Sequence, residues 1–131
     1  QTADDMAKDL RACLEVDEER VIQPGRREPI PAGLAVAPRT AGVAGFVYSR
    51  SGLGAVKGVV VAQGVGVIDP DYRGEIRVFL LNTGTEPYTV QRGERIAQII
   101  FQPYCPPNFS RVAALDDTGR GEGGFGHTGR G

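Results

Sequence analysis

The stretch Val59-Val60-Val61-Ala62-Gln63-Gly64-Val65-Gly66-Val67-Ile68-Asp69-Pro70-Asp71-Tyr72-Arg73-Gly74-Glu75-Ile76-Arg77-Val78-Phe79-Leu80-Leu81 sets two short apolar runs, Val59–Val61 and Arg77–Leu81, on either side of a segment broken by glycine, proline and aspartate. Runs of this length between turn residues are strands rather than helices. The same pattern recurs outward at Gly33–Val36, Phe46–Tyr48, Tyr88–Val90, Arg95–Phe101 and Arg111–Leu115. With 19 glycines and 9 prolines spread along the chain, a long helix has no room, and at most a short one fits around Gly52–Ala55. The pattern predicts an all-β barrel or sandwich. Beyond Asp116 the apolar periodicity stops except at Phe125. Residues 116–131 are therefore expected as a flexible C-terminal arm on a β domain spanning 1–115.

At 131 residues the chain fits one domain, near the size at which oligomerisation often supplies extra burial. Lys and Arg total 15 against 16 Asp and Glu, a net charge of −1, so no global field attracts nucleic acid or a membrane surface. Any anion must meet a local cluster. Cys13 and Cys105 are too few for a disulfide framework, and with a single histidine they make no ordinary structural zinc site. A reducing cytoplasm is the expected compartment. No apolar run approaches the roughly 18 residues of a membrane span, and no signal leader is expected, although the start at Gln1 leaves room for a preceding segment.

Four segments carry residue types suited to chemistry. In Gly64–Gly74 the glycines let a flat ligand approach the main chain, whose N–H and C=O groups match the mixed edge of a pyrimidine. Asp69 and Asp71 could orient a water or a divalent cation, or simply cap an Asp-Pro-Asp turn. Ser49-Arg50-Ser51-Gly52-Leu53-Gly54 offers a guanidinium, two hydroxyls and backbone N–H groups to phosphate oxygens, or forms a solvated turn. Gln98 falls among the apolar residues of Arg95–Phe101, and a buried amide needs partners from protein or ligand. Arg120–Gly129 is too glycine-rich to pack alone, yet its Arg120 and Phe125 could close over an anion and a base. Its Gly121-x-Gly123-x-x-Gly126 is a false dinucleotide fingerprint, because no acidic residue follows at the required distance before Gly131. A phosphate-binding Gly-Lys-Ser/Thr loop is missing, and a single histidine in the tail argues against a nucleophile triad. Together these segments point to nucleotide chemistry.

In this order the segments resemble the five motifs of the trimeric dUTP pyrophosphatase (dUTPase) family. Asp9-Leu10-Arg11-Ala12 is similar to the end of the first motif, Arg50–Gly54 to the second and Gly64–Gly74 to the third. Gly93-Glu94-Arg95-Ile96-Ala97-Gln98 is similar to the fourth and Arg120–Gly129 to the fifth. The first motif usually reads Ala-Gly-x-Asp-Leu, whereas Met6-Ala7-Lys8-Asp9-Leu10 lacks the glycine; Gln63 stands where many bacterial members carry Asn.

The resemblance implies a jelly-roll-like fold, a homotrimer with active sites shared between subunits, and an enzyme that converts dUTP and water to dUMP and pyrophosphate. Such an enzyme limits uracil incorporation into DNA and supplies dUMP for thymidylate synthesis. Carried over by position, Asp69 is the catalytic carboxylate that orients the attacking water. Gln63, Gly64, Val67 and Ile68 belong to the uracil slot, Tyr72 packs under the deoxyribose, and Arg77 follows the hairpin where the family also contacts the base. Arg50, Ser51, Gly52 and Gln98 hold phosphate oxygens. Phe125 stacks on uracil, while Arg120 and the Gly126 backbone grip the distal phosphate. Mg²⁺ is held mainly by the triphosphate and water, with Asp9 at most in its outer shell. The dCTP deaminase relative is similar around Ile68-Asp69-Pro70, but Phe79 occupies the place of its general-base glutamate. A non-enzymatic module on the same scaffold is disfavoured by the intact Arg50, Asp69, Gln98 and Phe125.

Overall fold

The computed structural model describes residues 8–126 and 128–129, so Ala7 of the first motif and His127 of the arm lie outside the described residues. Among the described residues nine strands follow one another: β1 Lys8–Arg11, β2 Glu19–Ile22, β3 Arg27–Pro31, β4 Val43–Tyr48, β5 Val59–Val61, β6 Gly66–Ile68, β7 Arg77–Asn82, β8 Tyr88–Gln91 and β9 Arg95–Pro103. A single wide helical turn, Gly52–Val56, separates β4 from β5. The all-β expectation holds, and so does the short helix. No helix among the described residues is long and apolar enough to cross a membrane.

The strands form three sheets, ordered β1-β9-β4-β6, β2-β8 and β3-β7-β5, and none of them closes into a barrel. Strand β3 carries Pro29 and Pro31, which cannot donate to a ladder, and it accordingly lies at a sheet edge with β7 as its partner. Two expected strands are absent. Gly33–Val36 is irregular: Ala32 N–H donates to the Ile76 carbonyl and Ile76 N–H to the Leu34 carbonyl, both at 2.9 Å, and Gly33 between them, at φ +71, takes the chain out of strand geometry. Arg111–Leu115 has the alternation of a strand but is exposed throughout, with Leu115 at 85 %. Four strands escaped the sequence reading. β1, β2 and β3 are too charged or proline-rich to stand out, and β6 lies inside the segment read as a turn.

The core lies between the sheets and includes Leu10, Ile22, Ile30, Val59, Leu80, Val90 and Ile96, each at 1 % exposure or less. Strand β7 shows the period of two that puts them there: Val78, Leu80 and Asn82 point inward while Arg77 and Phe79 point out. Asn82 is the buried polar side chain at the end of that row. Its Nδ2 donates to the Ile22 and Glu86 carbonyls, each at 2.8 Å, and its Oδ1 accepts from Gly84 N–H at 2.9 Å. One side chain thus fastens β7 to β2 and to the approach to β8. The turn from β8 to β9 is held by Glu94, which accepts from Gln91 N–H at 3.1 Å and from the Tyr88 hydroxyl.

Asn82→Ala strands the buried Ile22 carbonyl and removes the partner of the Glu86 carbonyl and of Gly84 N–H, and the expected loss is about 2–4 kcal/mol at this site. The urea midpoint at neutral pH measures it; an unchanged midpoint would mean that water replaces the amide at no cost. Tyr88 supplies a pH test. Burial, reinforced by the Glu94 carboxylate, holds its phenol above the ordinary value near 10. A raised folded-state value stabilises the protein below the unfolded-state value, and that contribution is lost as pH climbs above it. From about pH 9.5 upward, as the pH passes the unfolded-state value near 10, the wild-type midpoint is expected to fall more steeply than that of Tyr88→Phe. Parallel slopes would contradict the assignment.

Candidate active site

The segment after β5 folds back as a hairpin whose conformation only glycine tolerates. Gly64 sits at φ +85, its N–H donating to the Val61 carbonyl at 3.0 Å. Strand β6 then pairs with β4, Val47 opposite Gly66 and Gly45 opposite Ile68. A Cβ at Gly66 would lie 3.2 Å from the Val47 Cβ and 3.4 Å from Gln63 Nε2, so the bare backbone is what lets the Gln63 amide lie over the strand. The chain turns again at Asp69, whose carbonyl accepts from Tyr72 N–H at 3.0 Å. Tyr72 curls over Gly74, where a Cβ would fall 2.5 Å from the phenol oxygen, and its hydroxyl donates to the Glu75 carbonyl at 2.8 Å.

Between this hairpin and β7 opens a cavity of about 390 Å³. Its polar wall comes from Gln63, Asp69, Tyr72, Glu75 and Arg77 with the main chain of Gly66–Ile68, and its apolar wall from Val47, Val61, Ile76, Val78 and Phe79. The chemistry is that of a slot for a flat, partly polar ring, with an exposed carboxylate at the rim. Gly64 shapes the turn and is not part of the wall. Arg77 is 67 % exposed in its side chain and lies 3.9 Å from Glu75.

A second group of site residues gathers elsewhere on the sheet. The register sets Asp9 and Tyr48 on either side of Gln98 across β1, β9 and β4. The Asp9 carboxylate approaches two guanidinium groups, Arg50 Nε at 3.5 Å and Arg95 Nη1 at 3.6 Å, and Arg50 Nη1 donates to the Arg95 carbonyl at 3.3 Å. Two guanidiniums against one carboxylate leave the cluster positive. Gln98 is half-buried and its Nε2 donates to the Ser49 carbonyl at 3.1 Å, which satisfies the amide on one side. Ser51 and Gly52, both exposed, open the helical turn, which Gly54 N–H closes onto the Arg50 carbonyl at 2.7 Å. The arrangement suits an oxyanion chain bound by guanidinium and backbone N–H groups. Among the described residues no three His, Cys, Asp or Glu side chains converge to hold a metal ion.

The third group lies on the tail. Phe125 is fully exposed, and the Arg120 guanidinium donates to the nearby Gly123 carbonyl. The hydrogen bonds of Thr118–Gly129 are local, such as Gly123 N–H to Arg120 O at 3.1 Å and Gly129 N–H to Gly126 O at 2.8 Å. One chain therefore brings Gln63, Val67, Ile68, Asp69, Tyr72 and Arg77 together on one cavity. It keeps Asp9, Arg50, Ser51, Gly52 and Gln98, as well as Arg120, Phe125 and Gly126, off that wall. Sequence reasoning missed Arg95 as the second partner of Asp9, although it stands inside the fourth motif, and missed Phe79 as a cavity wall. The Ser49 hydroxyl, in a segment read as either a phosphate-binding loop or a solvated turn, accepts from Val61 N–H at 2.9 Å.

Comparison with known proteins agrees on one family. A dUTPase family model matches residues 10–129. The chain is 52 % identical over 121 residues to the deoxyuridine 5'-triphosphate nucleotidohydrolase of Desulfitobacterium hafniense, covering 92 % of this chain and 79 % of that protein. Among solved structures it resembles the dUTPase of Streptococcus mutans, with a TM-score of 0.72, 27 % identity and coverage of 83 % and 86 % of the two chains. A dUTPase mutant from Staphylococcus bacteriophage 80alpha, solved with dUpNHpp, shares the fold at a TM-score of 0.84, 24 % identity and coverage of 98 % and 89 %.

Proposed function

The chain belongs to the dUTPase family and hydrolyses deoxyuridine triphosphate, and from that premise we propose that Asp69 directs water onto the α-phosphorus of dUTP held in the Gln63–Phe79 cavity. The supporting observation is the cavity itself. Its main-chain groups at Gly66–Ile68 can pair with both the N–H and the carbonyl edges of uracil, and the close Val47–Gly66 contact leaves little play in that wall. Tyr72, pinned by its bond to Glu75, lies under the deoxyribose, where a 2′-hydroxyl has no space. Asp69 sits at the rim, where the sugar hands over to the phosphates.

The reaction is an in-line substitution. Water bonded to the Asp69 carboxylate attacks the α-phosphorus, the bond from that phosphorus to the bridging oxygen breaks, and pyrophosphate leaves from dUMP. The carboxylate takes up the water's proton. A carboxylate is a weak base, so most of the acceleration comes from positioning and from neutralising charge on the phosphates. The positive cluster of Arg50 with Ser51, Gly52 and Gln98 supplies that neutralisation, and the position of these residues off the cavity wall of their own chain supports a neighbouring chain bringing them. We read this as the physical basis of a homotrimer with shared sites and a jelly-roll-like subunit. Arg120, Phe125 and Gly126 of the arm 116–131 close the assembled site, Phe125 covering the base.

Mg²⁺ fits this arrangement as an ion carried by the triphosphate, since no protein cage exists among the described residues and both Asp9 oxygens already face guanidinium groups. When bound, it withdraws charge from the phosphate oxygens. Asp9 reaches it through water at most.

Purified protein with Mg²⁺ should convert dUTP to dUMP and pyrophosphate and spare dTTP, dCTP and UTP. Asp69→Asn should lower kcat by about 10²–10⁴-fold while nucleotide still binds, because water activation rather than affinity is removed. Wild-type turnover in that variant would eliminate Asp69 as the carboxylate. Phe125→Ala should weaken kcat/KM by about 1–3 kcal/mol, the range for an aromatic side chain stacked on a base. A change of less than twofold would place the ring outside the closed site.

A further inference from the structure

Ser49 lies between the two halves of the site and touches both through different atoms. Its carbonyl accepts from Gln98 Nε2 at 3.1 Å, and its hydroxyl accepts from the buried Val61 N–H at 2.9 Å. Val61 is the last residue of β5, and its carbonyl receives the Gly64 N–H that sets the hairpin turn. On the other side, Ser49 follows Tyr48, which stands opposite Gln98 in the ladder, and precedes Arg50 of the positive cluster. Val61 N–H cannot find its acceptor on β7: Val61 stands opposite Leu80, and Ala62 N–H on its flank donates to Phe79 O at 2.8 Å, so in the alternation of the antiparallel ladder the Val61 N–H points away from that strand. A serine hydroxyl at the exit of β4 therefore fixes where the base hairpin begins.

We propose that Ser49 is a positioning residue for dUTP turnover, holding the uracil hairpin in register with β4 through its hydroxyl while its carbonyl orients Gln98. This rests on the reading of the cavity as the dUTP site. The hydroxyl acts on the wall that holds the base, in ground state and transition state alike. Its loss therefore weakens binding and leaves the chemical step unchanged.

The test compares Ser49→Ala and Ser49→Thr with wild type. Ser49→Ala should raise KM for dUTP about three- to tenfold, the value of one hydrogen bond, with kcat within about twofold. Ser49→Thr, which keeps the acceptor oxygen, should restore KM. Amide exchange on unliganded protein gives a readout independent of turnover: exchange at Val61 and Gly64 should accelerate in Ser49→Ala and return toward wild type in Ser49→Thr. A lowered melting temperature with unchanged KM and unchanged exchange at those two amides would make Ser49 merely structural and overturn the proposal. So would a fall in kcat at constant KM. Wild-type protein without dUTP turnover would sink the functional reading alone, and the exchange result would then decide whether Ser49 fixes the hairpin.

Discussion

The ladder between β4 and β9, running from Val43 opposite Pro103 to Tyr48 opposite Gln98, is the constraint on which the rest of the molecule depends. It fixes three things at once. On its far side β9 carries β1, which sets Asp9 opposite Gln98; on its near side β4 carries β6, which sets Gly66 opposite Val47. At its end the chain leaves as Ser49 and Arg50 and enters the helical turn. A slip of one residue would flip Gln98 to the other face and detach Asp9 from its arginines, because side chains alternate with a period of two. Both halves of the site inherit their geometry from this one register.

The two halves nonetheless do different work. The hairpin cavity is walled by backbone amides, apolar side chains and Tyr72, with Asp69 and Glu75 in its lining, which suits a neutral base and a sugar. The cluster around Arg50 is polar and positive, which suits a triphosphate. A nucleoside triphosphate needs both, and within one chain they belong to different surfaces joined by Ser49. The proposal that subunits share a site rests on that separation. It also explains why a chain with net charge −1 can bind a highly charged anion: the positive charge is concentrated where Asp9 balances only part of it.

Much of this was legible in the order of residues, and for identifiable reasons. Val59–Val61, Arg77–Leu81 and Arg95–Phe101 are apolar runs between turn residues, and they became strands. Family resemblance marked Asp69, Tyr72 and Gln63, and the structure gathers them on one cavity wall. The charged β2, Glu-Arg-Val-Ile, buries only its last residue and looks like a loop to any reading based on hydropathy. Arg111–Leu115 misled in the opposite sense, because alternation reports a face that could be buried and says nothing of what would bury it. The residue types of Ser49–Gly54 left phosphate binding and a solvated turn both open. Only the fold brings Val61 N–H onto the Ser49 hydroxyl, 12 positions away in sequence. Arg95 was hidden similarly, since its partner Asp9 is 86 positions away in sequence and adjacent only through the β1–β9 register.

The claim that the Asp69 half and the Arg50 half of one chain serve different sites is tested most directly by co-assembly of two disabled variants. Asp69→Asn and Arg50→Ala are each expected to be nearly inactive alone. Refolded together in equal amounts, they should regain about a quarter of wild-type dUTP turnover, because each half of a shared site comes from the competent variant half the time in a mixed closed oligomer. If mixed assemblies form, shown by a mass-tagged partner, and turnover stays at the level of the separate variants, the two halves work within one chain and the shared-site account is wrong.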